Sequence, residues 1–285
     1  MTDARAVFEV MARDQLRTGG RVEIEEADIV GDWQRPSFEI GSSTVGVFES
    51  GRLIAYAEVS GGDRGDACVD PDHLGRGIGT WLAHWMQSRA RSRGAKVIGM
   101  PVRQGSPGDR LLAALGYRVR WTTWVLELPE GAVIPARDLP TGYAVREAHP
   151  AEHAGVHDLI EDAFLEWSER ERQPFEDFDA QVVGRPGFEP WTLRVVTDAT
   201  GALVAAAVVL LTEEGEGYVE RLATRADQRG RGLAQALLVD AFAVAREHGA
   251  TRSGLSTDTR TGALSLYEKV GMVVTQTWVN RAIEV

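Results

Sequence analysis

The chain has 285 residues, 44% hydrophobic and 26% charged, which excludes wholesale disorder and, at roughly 100–200 residues per domain, suggests two domains. Its 31 Lys and Arg stand against 42 Asp and Glu, a net charge of −11 that suits a small cationic partner better than a nucleic-acid backbone. One cysteine, Cys68, rules out an intrachain disulfide, Met1-Thr2-Asp3-Ala4-Arg5 lacks the layout of a signal peptide, and no apolar run approaches the ~18 residues of a membrane span, so a cytoplasmic location is expected.

The first half begins on a helix, with no clear leading strand. It then reaches Pro71-Asp72-His73-Leu74-Gly75-Arg76-Gly77-Ile78-Gly79. A similar segment, Ala226-Asp227-Gln228-Arg229-Gly230-Arg231-Gly232-Leu233-Ala234, follows in the second half, with Gly77 and Gly232 155 positions apart. The same offset of 155 relates Gly94 to Gly249 and Gly116 to Gly271. Three matches in one register indicate a tandem duplication. Pro129, Gly131, Pro135 and Pro140 mark a linker, which divides the chain into domains at 1–130 and 140–285.

In the second half, a short strand at 143–146 precedes a helix over 151–169 and a shorter helix within 175–183. Strands follow at 191–196, 202–211 and 217–223, and their short links predict an antiparallel meander. Leu237, Ala241, Val244 and Ala245 share one face of a helix over 233–247, which Gly249 closes. A strand at 252–257, a helix at 261–270 and a last strand at 273–283 complete the order. The first half repeats its later part.

The glycine turn before residue 233 can expose several N–H groups beside a helix N-terminus, which suits a diphosphate. The alternative is a Gly-rich helix start with solvated arginines. A dinucleotide-binding loop fits less well, because five residues separate the strand from Gly230 and the third fingerprint glycine is missing. A P-loop is excluded, since no Gly-Lys-Ser/Thr follows.

These segments resemble the GNAT acyl-CoA N-acyltransferases. Arg229-x-x-Gly232-x-Ala234 fits that family's pyrophosphate loop, and Ala263-Leu264-Ser265-Leu266-Tyr267-Glu268-Lys269-Val270-Gly271-Met272 fits its later helix. The tandem layout resembles the mycothiol-synthase-like branch. The resemblance implies an α/β (α+β) fold of two GNAT-like domains, each a mixed, mostly antiparallel twisted sheet flanked by helices. It also implies an acetyl-CoA-dependent N-acetyltransferase. Arg229, Gly230, Arg231, Gly232, Leu233 and Ala234 would hold the diphosphate, and a backbone N–H among Leu222, Ala223 and Thr224 would meet the thioester oxygen. Tyr267 is the expected general acid, since a tyrosine near pKa ~10 keeps its proton until a thiolate forms. Glu220 is the candidate base, on a face that strand alternation shares with Tyr218 and Leu222. Thr259 stands where the family often has Asn, which weakens its assignment as a cofactor contact.

The offset maps Glu220, Arg229 and Tyr267 onto Gly65, Leu74 and Leu112. The first domain therefore reads as catalytically degenerate, although Gly75, Gly77 and Gly79 keep a backbone cradle. The carboxylates of Glu161, Asp162, Glu166, Glu169, Glu171, Glu176, Asp177 and Asp179 could form an acidic wall for a cationic amine, or only a solvated surface. The expected acceptor is an amine of a small metabolite or basic antibiotic. The alternatives are a protein lysine or N-terminal acetyltransferase and a non-catalytic acyl-CoA-binding sensor or scaffold. No metal, nucleic-acid or membrane partner is expected, and the chain could be a monomer or a homodimer.

Overall fold

The computed structural model describes residues 2–285; Met1, the first residue of the N-terminal stretch read above, lies outside them. The chain forms two compact units, Met1–Thr123 with Thr277–Val285 (unit 1) and Trp124–Gln276 (unit 2).

Unit 1 runs through α1 (Thr2–Gly19), α2 (Glu26–Trp33), the one-turn α3 (Ile40–Ser43), β1 (Thr44–Glu49), β2 (Arg52–Ser60), β3 (Arg64–Val69), α4 (Ile78–Ser92), β4 (Val97–Arg103), α5 (Pro107–Ala114) and most of β5 (Arg118–Glu127). β1, β2 and β3 pair antiparallel, and β3 meets β4 in parallel. β2 is buried on both faces, so it reads as an almost unbroken apolar run. Ala55, Ala57 and Val59 pack beneath Leu82, Ala83 and Met86 of α4, while Tyr56 faces Val7 and Val10 of α1 and Trp33 of α2.

Unit 2 has the order β6 (Ala144–Glu147), α6 (His153–Leu165), α7 (Phe175–Val182), β7 (Leu193–Thr197), β8 (Leu203–Leu211), β9 (Glu216–Thr224), α8 (Leu233–Glu247), β10 (Arg252–Asp258), α9 (Leu264–Lys269) and the start of β11 (Val273–Glu284). β7 to β9 form the expected antiparallel meander, β6 pairs antiparallel with β7 at the edge, and β10 joins β9 in parallel. Leu233, Leu237, Ala241 and Ala245 recur every fourth residue of α8 and are buried, with Leu238 and Phe242 beside them. From Thr277 onward, β11 belongs to unit 1, where Trp278 to Glu284 pair antiparallel with Arg103 to Val97 of β4.

The duplication extends to single hydrogen bonds. Trp81 N to Gly77 O matches Ala236 N to Gly232 O, Ala95 N to Ala90 O matches Ala250 N to Ala245 O, and Tyr117 N to Leu112 O matches Met272 N to Tyr267 O. Unit 1 differs at its start: α1 comes first, and no described strand corresponds to β6.

The helix expected over 151–169 stops at Leu165. The cause is Glu161, which is only 1% exposed. A buried carboxylate needs partners. The chain leaves the helix and turns back, so that Arg170 grips both Glu161 oxygens at 2.7 and 2.8 Å and the Gln173 N–H donates at 2.8 Å. The helix expected over 261–270 is likewise shorter, because Thr261 Oγ1 accepts from Ala263 N at 3.2 Å ahead of α9.

Candidate active site

Two adjacent strands of unit 2 separate at the site. β9 and β10 pair from Glu216↔Arg252 to Val219↔Leu255 and no further. β9 therefore continues from Glu220 to Thr224 with one edge on β8 and the other open. The Arg225 N–H donates to Val204 O of the β8 side at 3.0 Å. Backbone groups alternate along a strand, so the N–H groups of Leu222 and Thr224 point to the open side.

Glu220 is the extra residue of a β-bulge. The register steps from Val208↔Arg221 to Val209↔Val219 and leaves Glu220 without a partner on β8. This corrects the alternation expected from sequence, in which Tyr218, Glu220 and Leu222 share a face. A bulge shifts every later side chain by one position. Val219 and Leu222 consequently both pack in the cluster beneath α8, whereas Ala223 packs with α6 and α7. The Glu220 side chain is 40% exposed, and its carboxylate lies 3.7 Å from Arg221 Nε.

The glycine turn follows β9. Gly230 and Gly232 have φ of 75° and 82°, left-handed values that favour glycine. α8 begins at Leu233, and the N–H groups of its first turn have no intrahelical acceptor. With the positive end of the helix dipole, they form a cradle suited to the diphosphate of an acyl-CoA. A Cβ on Gly232 would lie 2.5 Å from Arg137 Cδ, and on Gly230 it would touch nothing within 4 Å. Gly232→Ala is therefore expected to destabilise the fold by about 1–2 kcal/mol. Urea unfolding would measure this, and an unchanged midpoint would mean that Arg137 moves aside at no cost.

Arg229 has a different environment from the one its motif suggests. Its guanidinium makes a two-pronged pair with Glu166, both contacts at 2.7 Å, and its Nε donates to Thr224 O at 3.2 Å. The pair holds the Glu166 carboxyl below its usual range. Arg229 thus ties the turn to the end of β9 and to the segment after α6. Arg231 is exposed and has no partner among the described residues.

Tyr267 lies on α9 with its ring in the same core cluster as Leu233, Val270 and Met272, and it is 8% exposed. Burial pushes its pKa up to about 12. Its hydroxyl has no hydrogen-bond partner among the described residues. Leu222 packs on that cluster, so the open strand edge, the start of α8 and Tyr267 share one body. Thr259 is exposed in the turn after β10. Beside it, Arg260 pairs with Asp258 and lies 4.8 Å from the Trp167 ring, a contact the sequence reading did not single out.

Arginines neutralise much of the acidic wall: Glu161 pairs with Arg170, Asp162 with Arg172 and Glu166 with Arg229. Phe178 is fully buried and Trp191 stacks on His248 at 4.2 Å, so both are core residues.

Unit 1 keeps the turn without the side chains. Gly75 and Gly77 have φ of 76° and 82°. β3 and β4 pair in parallel at Arg64↔Gly99 before they part. A cavity of about 520 Å³ opens there, lined by Val69, Gly77, Ile78, Met100 and Leu111, with Asp14 of α1 at its wall. Leu112 is 3% exposed at the position equivalent to Tyr267.

A sheet that splays beside a glycine turn at a helix N-terminus, duplicated along the chain, defines an acyl-CoA-dependent transferase class. The Acetyltransferase (GNAT) family description matches residues 9–117 and 154–272. The chain belongs to the GNAT acetyltransferase family and carries two GNAT-like domains. It is 28% identical over 232 residues to a mycothiol acetyltransferase of Thermobispora bispora, covering 76% of this chain and 75% of that one. A GCN5-related N-acetyltransferase from Sphaerobacter thermophilus superposes with a TM-score of 0.75 at 26% identity, covering 99% of this chain and 93% of that one. A tandem GNAT protein from the clavulanic acid biosynthesis pathway shares the fold, with a TM-score of 0.71 at 18% identity over 99% of this chain and 94% of that one. Among the described residues no helix is long and apolar enough to cross a membrane, and no group of three or more metal-ligating side chains occurs.

Proposed function

We propose that unit 2 transfers an acetyl group from acetyl-CoA to the amine of a small metabolite or basic antibiotic. The observation that carries this is the combination of an open β9 edge, a glycine turn and a partner-free Tyr267 hydroxyl around one core cluster. When bound, acetyl-CoA supplies the thioester that the amine attacks. The cradle from Gly230 to Ala234 holds the diphosphate. An outward N–H of Leu222 or Thr224 stabilises charge on the acyl oxygen. Glu220 takes the proton of the incoming ammonium. Its exposure favours a route through water over direct contact. Tyr267 is protonated throughout the neutral range and delivers its proton to the departing sulfur.

A specific observation also favours a second reading for unit 1. Its cavity and glycine turn suit an acyl-CoA arm, while Leu112 and Gly65 supply neither acid nor base. Unit 1 then binds acyl-CoA without turning it over.

Native mass spectrometry of the whole chain titrated with acetyl-CoA tests both. Gly230 and Gly75 have matching φ and open space for a side chain, so Gly230→Asp and Gly75→Asp each place a carboxylate in one cradle. We expect Gly230→Asp to remove one bound copy together with turnover of an amine panel. Two copies in the wild type, one of them lost on Gly75→Asp with turnover intact, would support the role of unit 1. No bound copy on the folded chain would defeat the proposal.

A further inference from the structure

The linker before β6 packs across the glycine turn of unit 2. Ile134 is 4% exposed and buried in the α8 core, and Gln235 in the first turn of α8 donates to Pro135 O at 2.7 Å. On the far side Leu139 packs on the same core, and the Tyr143 hydroxyl bonds Gln228 Oε1, just before the turn, at 2.8 Å. Arg137 lies between these anchors. Its side-chain stem occupies the space over Gly232, with Cδ and Nε 2.5 and 2.6 Å from where a Cβ would be. The residue is exposed, and its guanidinium has no partner among the described residues. The equivalent Gly77 of unit 1 has nothing within 4 Å of that position.

Charge at the cradle makes this arrangement more than packing. Arg229, the cation that the loop motif supplies, is spent on Glu166. Of the turn's own arginines that leaves Arg231, exposed and without a partner among the described residues, a single side-chain cation for a diphosphate, a group that carries more than one negative charge. A planar guanidinium with several donors suits such a group well. We propose that Arg137, supplied by the linker, is a diphosphate ligand of the acyl-CoA site in unit 2. This rests on the function proposed above for that unit. The stem is held over the turn while the guanidinium remains free to turn towards the phosphates.

The test is calorimetric titration of the full chain in a Gly75→Asp background, so that only the unit 2 cradle is read, with CoA and 3′-dephospho-CoA as probes. Arg137→Ala is expected to raise Kd about tenfold for both probes, as for the loss of one charged hydrogen bond. Arg137→Lys should keep part of the affinity, and the Ala effect should shrink at high salt. The unfolding midpoint of each variant checks that the linker still packs. An unchanged Kd with wild-type binding intact overturns the proposal alone. Tighter binding by Arg137→Ala would show that the side chain obstructs the cradle, which also overturns it. A loss confined to CoA would place Arg137 on the 3′-phosphate and overturn the diphosphate assignment. A background chain that binds neither probe, although folded, would overturn this proposal together with the function reading for unit 2.

Discussion

Tyr267→Phe is expected to lower kcat by about 10²- to 10⁴-fold, the range of a lost general acid, with little change in acetyl-CoA affinity. Phe keeps the ring that packs against Leu233, Val270 and Met272, so the core should keep its shape. Only the hydroxyl is lost, and in the structure that hydroxyl bonds to no described residue. A stability cost near zero and a large rate cost would therefore separate chemistry from packing. The pH profile adds a second readout. With its pKa pushed up to about 12 by burial, Tyr267 stays protonated as pH rises through 8 and 9. An alkaline fall of kcat in that range cannot come from this group and should persist in the variant. A Tyr267→Phe enzyme with wild-type kcat would remove Tyr267 from the mechanism.

The parts legible in sequence were those that local rules determine. Gly230 and Gly232 need left-handed backbone, and the shared face of Leu237, Ala241, Val244 and Ala245 marks α8, whose limits match the structure. The duplication was legible because equivalent glycines close equivalent turns. The rest depends on contacts between distant residues. The bulge at Glu220 arises from the match between β8 and β9, and no local composition announces it. Arg229 fits the motif, yet Glu166 lies 63 positions away in sequence and takes its charge. Arg137 lies in a stretch whose prolines read only as a linker, and only folding brings it over Gly232. The pairing of β11 with β4 joins segments far apart in sequence, beyond the reach of periodicity.

The second large effect concerns stability, at a cross-strand pair in unit 1. Glu58 of β2 lies opposite Asp66 of β3 and is 9% exposed. Burial first, then the Asp66 charge, push its pKa up from 4.5 to about 7; the Tyr56 hydroxyl, 2.6 Å away, and Arg35 oppose the shift, while Asp32 adds to it. The folded state thus holds this proton more tightly than the unfolded chain. Below pH 4.5 both states are protonated and the stability is fully present. Between pH 4.5 and 7 the unfolded chain ionises first and stability falls. Above pH 7 the loss is complete, at about 3 kcal/mol. Glu58→Gln keeps an acceptor for Tyr56 and removes the titration. It is expected to flatten the stability curve over that window and to exceed the wild type by up to about 3 kcal/mol at pH 8. Asp14, raised to about 6 mainly by burial, contributes a residual slope of the same sign. Denaturant unfolding from pH 4 to 8 reads the difference. Equal slopes for wild type and variant would mean that Glu58 ionises as easily folded as unfolded. In unit 2 the equivalent of Asp66 is Arg221, and its partner is Val208, so the cross-strand pair there holds no carboxylate.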